Sequence, residues 1–177
     1  MVAPLFTFIQ GVTAPIPSAE AATVGTSPGN CVLTVSTSSG VTTSQISGTS
    51  DCLITITSAT NLQITVPYGV TTIRYLAVGG GASGTRGRCN YIYGQGGGGG
   101  EVLDSSASVT ANAIIYVTVG SGGSAISGTC PGTVAGNAGS ASKIGTSTSG
   151  TEIANARGGS GPSPVSSTNP NGGASGN

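Results

Sequence analysis

Three glycines raise the first chemical question. Gly79, Gly81 and Gly84 keep the spacing G-x-G-x-x-G directly after the apolar run Thr72–Val78. That spacing serves a dinucleotide site when strand, tight turn and helix follow in order, because the helix N-terminus then faces the pyrophosphate. Here the glycines lead into Thr85-Arg86-Gly87-Arg88-Cys89-Asn90-Tyr91-Ile92-Tyr93 and then Gly96–Gly100, a stretch no helix tolerates. Glu101 falls where a ribose-binding acid would be sought, but five glycines precede it instead of a second strand. With 32 glycines among 177 residues, such a motif arises by chance. The sequence therefore predicts no nucleotide cofactor.

Other reactive groups are scarce. Histidine is absent, which removes Ser-His-Asp triads, Cys-His dyads and histidine-ligated zinc. Asp51, Glu101, Asp104 and Glu152 show no spacing that would pair two carboxylates for hydrolysis, and acidic residues are too few for calcium. We expect no catalytic residue, no cofactor and no metal. Five basic side chains balance five acidic ones, with no basic tract. Phosphate binding needs more cations than that, so no nucleic-acid partner is expected.

Arg86, Arg88, Tyr91 and Tyr93 crowd into eight positions. Tyr and Arg are favoured at binding hot spots, so these four make a candidate recognition loop. The plainer alternative is a solvated loop tied down by Cys89. The four cysteines, Cys31, Cys52, Cys89 and Cys130, lie far apart with no C-x-x-C pair. An even number without metal spacing suggests two disulfides. Cys31 and Cys52 each lie in phase with an apolar stripe, so Cys31–Cys52 and Cys89–Cys130 is the favoured pairing of three connectivities.

The elements that must carry these residues read as strands. Cys31, Leu33 and Val35 share one face, as do Cys52, Ile54 and Ile56, and Leu62, Ile64 and Val66. Pro67-Tyr68-Gly69 is a turn signal. Thr71–Val78 and Ala113–Val119 are apolar on both faces and read as central strands. Glu101–Val109 alternates weakly, and shorter strands are expected near Ser142–Ile144 and Glu152–Ala154. No amphipathic helix is evident, and no run is long enough to span a bilayer as a helix. The segment Val2–Val12 is uncharged and mostly apolar, and Ala19-Glu20-Ala21 is a small-x-small pattern before Ala22. Together they suggest a secretory leader outside the fold.

Glycine is far above the ordinary share of roughly 7%. Runs such as Gly79–Gly81, Gly96–Gly100 and Gly158–Gly161 can continue from strands as extended polyglycine II segments, with about 3.1 Å rise and three residues per turn. Without side chains such segments pack side by side and hydrogen-bond laterally. Flexible glycine loops are the alternative.

One resemblance organises these features. Ile64-Thr65-Val66-Pro67-Tyr68-Gly69-Val70-Thr71-Thr72-Ile73, followed by Leu76-Ala77-Val78-Gly79-Gly80-Gly81, resembles the opening of the bacterial and phage glycine-rich domain. The order then continues through Gly96–Gly100 with Glu101-Val102-Leu103, Ile115–Gly123, Gly136–Gly145 and Ala156–Gly161. The chain is also similar to the glycine-rich region of the anaplastic lymphoma kinase receptor ectodomain. The upstream Cys31–Val35 and Asp51–Thr55 segments resemble a module that precedes this domain in actinobacterial surface proteins. The resemblance implies an all-β, jelly-roll-like β-sandwich with polyglycine II segments, stabilised here by disulfides.

The expected organisation is a leader over 1–21, a β segment over 22–59, a glycine-rich β domain over 60–161, and a Gly/Pro/Ser/Asn tail over 162–177 without core residues. The expected function is a secreted or cell-surface structural and adhesive module, non-enzymatic. Its partner would be a surface glycan or protein receptor, with self-association as a further expectation and no membrane span within the chain. A phage-type tail-tip adhesin and an ice-binding protein using Thr-rich faces are the alternatives.

Overall fold

The computed structural model describes residues 5–9, 22–24, 33–49, 51–86, 94–127, 134–148, 151–163 and 173–176, with backbone alone for 5–9 and 22–24. The regular structure among them is all β. Eleven strands follow in order: β1 (Leu5–Ile9), β2 (Ala22–Val24), β3 (Leu33–Val35), β4 (Val41–Gln45), β5 (Asp51–Ile56), β6 (Leu62–Thr65), β7 (Thr72–Val78), β8 (Val102–Ser108), β9 (Ile114–Thr118), β10 (Ser142–Gly145) and β11 (Glu152–Ala156). One sheet has the order β4-β5-β1-β7-β8, the other β11-β10-β9-β6-β3-β2. The pairs β4/β5, β5/β1 and β1/β7 are antiparallel, as are β10/β9, β9/β6, β6/β3 and β3/β2.

The chain divides into two compact units whose segments interleave along the sequence. The first comprises Met1–Ala77, Leu103–Val119 and Lys143–Ala154, and the second Val78–Val102, Gly120–Ser142 and Asn155–Asn177. The consecutive blocks expected from the sequence thus become repeated excursions: the chain leaves the strands three times into glycine-rich stretches.

In the first unit, period-two patterning decides burial. Leu33 and Val35, Cys52, Ile54 and Ile56, and Leu62, Ile64 and Val66 are all buried, as the alternation predicts. Ile73, Tyr75 and Ala77 of β7 and Ile115 and Val117 of β9 complete the apolar interior. Both β7 and β9 sit inside their sheets, yet neither buries both faces. Thr72 and Arg74 of β7 are exposed, and Ile114 of β9 is 43% exposed. Antiparallel sheets commonly leave one face wet, which the continuous apolar runs concealed.

The turn after Val66 follows its sequence signal. The Val70 N–H donates to the Pro67 carbonyl at 3.2 Å, and Gly69 has φ +83°, the left-handed region that a type II turn demands at its third residue. Strand β4 escaped the sequence reading. Its segment Val41-Thr42-Thr43-Ser44-Gln45 offers one buried apolar residue, Val41, and pairs only with β5 at the sheet's edge. Arg74 and Asp104 form an exposed pair at 3.0 Å, and the hydrogen bonds from Arg74 hold the Asp104 carboxyl below the usual carboxylate range.

The N-terminal segment takes a strand position. It is expected outside the fold, but β1 lies between β5 and β7, with Phe6 opposite both Ile54 and Tyr75 in register. The reason is physical: an uncharged segment with β-branched and aromatic residues satisfies its backbone groups on both sides when inserted as a strand. The same composition that reads as a leader reads as a strand.

Cys52 is disulfide-bonded. Cys31, Cys89 and Cys130 lie outside the described residues, as does the choice between Cys31–Cys52 and the other connectivities.

One-sided burial predicts an asymmetry between two isoleucines on the paired strands β6 and β9. Ile64→Ala should destabilise the protein by about 2–5 kcal/mol, the usual range for truncating a fully buried Ile. Ile114→Ala should stay within about 0.5 kcal/mol, as for a surface position. Urea unfolding followed by circular dichroism measures both, and equal losses would contradict the burial pattern.

Candidate functional site

The second unit is built from backbone. The Gly79, Ala82 and Thr85 N–H groups donate to the carbonyls of Glu101, Gly98 and Gln95 at 2.9, 2.8 and 2.9 Å. The intervening Gly80, Ser83 and Arg86 N–H groups donate to Ser140, Asn137 and Val134 at 2.9, 2.9 and 3.2 Å. Gly81 uses its carbonyl to accept from the Gly123 N–H at 2.8 Å. A β-strand offers its hydrogen-bonding groups to two sides. This segment repeats its partners every third residue and addresses more than two neighbours.

The same period links the other segments. Gly136 and Gly139 donate to Pro162 and Gly159, Gly98 and Glu101 to Ser160 and Arg157, and Gly173 and Gly176 to Gly96 and Gly99. Gly159 donates back to Gly80, Ser140 to Ser121, and Ser160 to Ala174. Residues 79–86, 94–101, 120–124, 134–141, 157–162 and 173–176 thereby form one laterally bonded set.

Steric demand follows the same period. A Cβ on Gly97, Gly98 or Gly100 would fall against the carbonyl of Ala82, Ala174 or Gly79, whereas Gly96 and Gly99 face open space. Gly79, Gly80, Gly139, Gly158 and Gly159 are similarly closed by neighbouring carbonyls. At the first glycine of the fingerprint the backbone is bonded within the chain. The Gly79 and Gly80 N–H groups are engaged with Glu101 and Ser140, and Glu101 also accepts from the Arg157 N–H through Oε2 at 2.8 Å.

Within 162–177, expected as a tail without core residues, the described residues 173–176 join the bonded set. Gly173 and Gly176 bond to the Gly96–Gly99 stretch, and a Cβ on Gly173 would meet the Ser160 carbonyl. A segment that packs by backbone needs no apolar side chain, so a search for core residues passes it over.

Of the candidate recognition loop, Arg86 joins Val134 in an isolated antiparallel bridge. Arg88, Tyr91 and Tyr93 lie outside the described residues. Among the described residues no cluster of three His, Cys, Asp or Glu could hold a metal, and no helix is long and apolar enough to cross a membrane.

In the first unit, a polar cleft passed unnoticed in the sequence. Tyr116 stands on the outer face of β9, opposite Gln63 of β6 and Gly145 of β10. Two residues on, Thr118 is opposite Lys143, whose Nζ pairs with Glu152 Oε1 at 2.6 Å. The Thr118 hydroxyl accepts from the Asn61 N–H at 3.1 Å and approaches Asn61 Oδ1 at 3.4 Å. Asn61 is held at φ +52°. Asn61, Tyr116, Thr118, Lys143, Glu152 and Ser147 line a cavity of about 260 Å³. The sequence signal was the tyrosine at an outward position of β9, two residues before Thr118.

With this geometry in hand, similarity to known proteins is informative. Residues 56–177 match the family model of the glycine-rich domain, and the chain belongs to that family. No curated protein and no solved structure matches it.

The three-residue period of steric demand makes a sharp prediction. Gly98→Ala should destabilise by about 1–3 kcal/mol, the scale of overpacking a filled interior. Gly99→Ala should be neutral or stabilise by a few tenths up to about 1 kcal/mol, because alanine there only restricts the unfolded chain. Thermal melting of the two variants checks this, and matching shifts would mean the run is a loop. Gly173→Ala should behave like Gly98→Ala.

Proposed function

We propose that this chain is a secreted or cell-surface structural and adhesive module without enzymatic activity, presenting a recognition surface on a rigid glycine scaffold. The observation that supports it best is the three-residue hydrogen-bond period in residues 79–86 and their neighbours. That period is the signature of polyglycine II. The nine neighbour relations fit two layers of three segments: 120–124, 79–86 and 94–101 over 134–141, 157–162 and 173–176. The two sheets form a sandwich in this reading, which the contact of the Tyr75 hydroxyl with the Ile153 carbonyl at 3.4 Å across them supports. A bacterial or phage-type origin fits the sequence order quoted above.

The scaffold reading assigns the glycines to architecture and leaves loops and sheet faces for partners. Disulfides would stiffen the frame, each by roughly 2–4 kcal/mol. Export is the compartment in which such bonds persist.

Processing after Ala21 would remove β1 and leave β5 and β7 with an open strand position between them. The mature N-terminus is therefore the telling quantity. Expression in a secreting host, followed by N-terminal sequencing and non-reducing peptide mapping, should find Ala22 first and the bridges Cys31–Cys52 and Cys89–Cys130. An exported protein that keeps Leu5–Ile9 would overturn the processing step. A chain retained in the cytoplasm with reduced cysteines would overturn the module itself.

A further inference from the structure

We propose that the Tyr116 cleft binds a single neutral sugar residue of a glycan. This names the ligand of the adhesive module above and rests on that reading. The inference starts from placement. On a sheet, the side chain directly across from an aromatic residue normally covers part of its ring. The residue across from Tyr116 on β10 is Gly145, which has no side chain to do so. On that side the ring remains open toward the cavity it lines.

Around the ring stand the groups a polyhydroxylated ring requires. Lys143 supplies N–H donors and Glu152 acceptor oxygens, the two being 2.6 Å apart, so a pair of vicinal hydroxyls can bridge them. The Thr118 hydroxyl both donates and accepts, and Asn61 adds an amide with both functions. The cavity's single cation is matched by an acid at contact distance, which disfavours phosphate, sulfate or an acidic sugar. Its volume of about 260 Å³ suits one sugar ring. That is somewhat less than the roughly 300 Å³ at which pockets for drug-sized ligands begin. Tyrosine offers an apolar ring face together with a polar tip, the combination that the C–H face and hydroxyl rim of a sugar complement.

The measurement is ligand-detected saturation-transfer NMR on the full chain with glucose, galactose, mannose and N-acetylglucosamine, and with glucuronic and sialic acids as anionic comparisons. At least one neutral sugar should receive saturation. The Tyr116→Ala variant should lose it at least tenfold while its circular dichroism spectrum and melting temperature stay near the parent's. Should Tyr116→Ala fail to fold, Glu152→Gln carries the test. Glu152 is exposed and outside the core, and its replacement should weaken the same sugar at least fivefold. No transfer to any neutral sugar, transfer confined to the acidic sugars, or transfer undiminished in both variants would overturn the proposal. A correctly exported chain that binds no sugar would refute the ligand and leave the module reading standing. A sugar-binding chain that is never exported would do the reverse.

Discussion

The second unit depends on one steric condition: the Cα atoms on the inner positions of its glycine segments carry only hydrogen. Backbones then approach closely enough for carbonyls such as those of Gly98, Asn137 and Gly159 to receive an N–H from a neighbouring segment. Gly79, Gly98, Gly139 and Gly159 each leave no room for a methyl group. Ordering glycine is entropically costly, by about 0.5–1 kcal/mol per residue beyond alanine in regular structure. That cost is offset by saturating buried backbone groups that would otherwise lack partners.

The strands supply what the glycines cannot. Ile54, Ile56, Leu62, Ile64 and Ile73 are almost wholly removed from water, and burying each contributes about 1.5–3 kcal/mol. With five basic and five acidic residues, charge contributes little, and the ion pair Arg74–Asp104 is exposed on both sides. The chain passes from β7, β9 and β11 directly into glycine-rich stretches, so apolar burial and backbone bonding alternate along one polypeptide.

Much of this was legible in the residue pattern, and what was not had physical causes. Leu62, Ile64 and Val66 announced a half-buried strand, and Pro67-Tyr68-Gly69 its turn, because both signals are local. The fingerprint at Gly79 could be set aside because its required helix was missing. β4 stayed hidden because an edge strand of Thr and Ser needs only one apolar anchor. The packing of Gly173–Gly176 stayed hidden because backbone pairing leaves no mark in hydropathy. The Tyr116 cleft assembles from β9, β10, β11 and Asn61 just before β6, with Asn61 and Glu152 separated by 91 positions, and no sequence spacing reveals such a meeting. At β1 the uncharged apolar run expected as a leader is paired as a strand with β5 and β7, because a run of Leu, Phe, Thr and Ile suits either role.

Amide hydrogen exchange, resolved by residue across 79–86, tests the glycine scaffold most directly. Gly79, Gly80, Ala82, Ser83 and Thr85 donate to neighbouring carbonyls and should exchange slowly. Gly81 and Gly84, whose N–H groups have no such partner among the described residues, should exchange fast, giving two protected amides followed by one open one. Uniformly fast exchange would mean a flexible loop, and protection alternating every second residue would mean an ordinary strand. Either result would contradict the laterally bonded bundle.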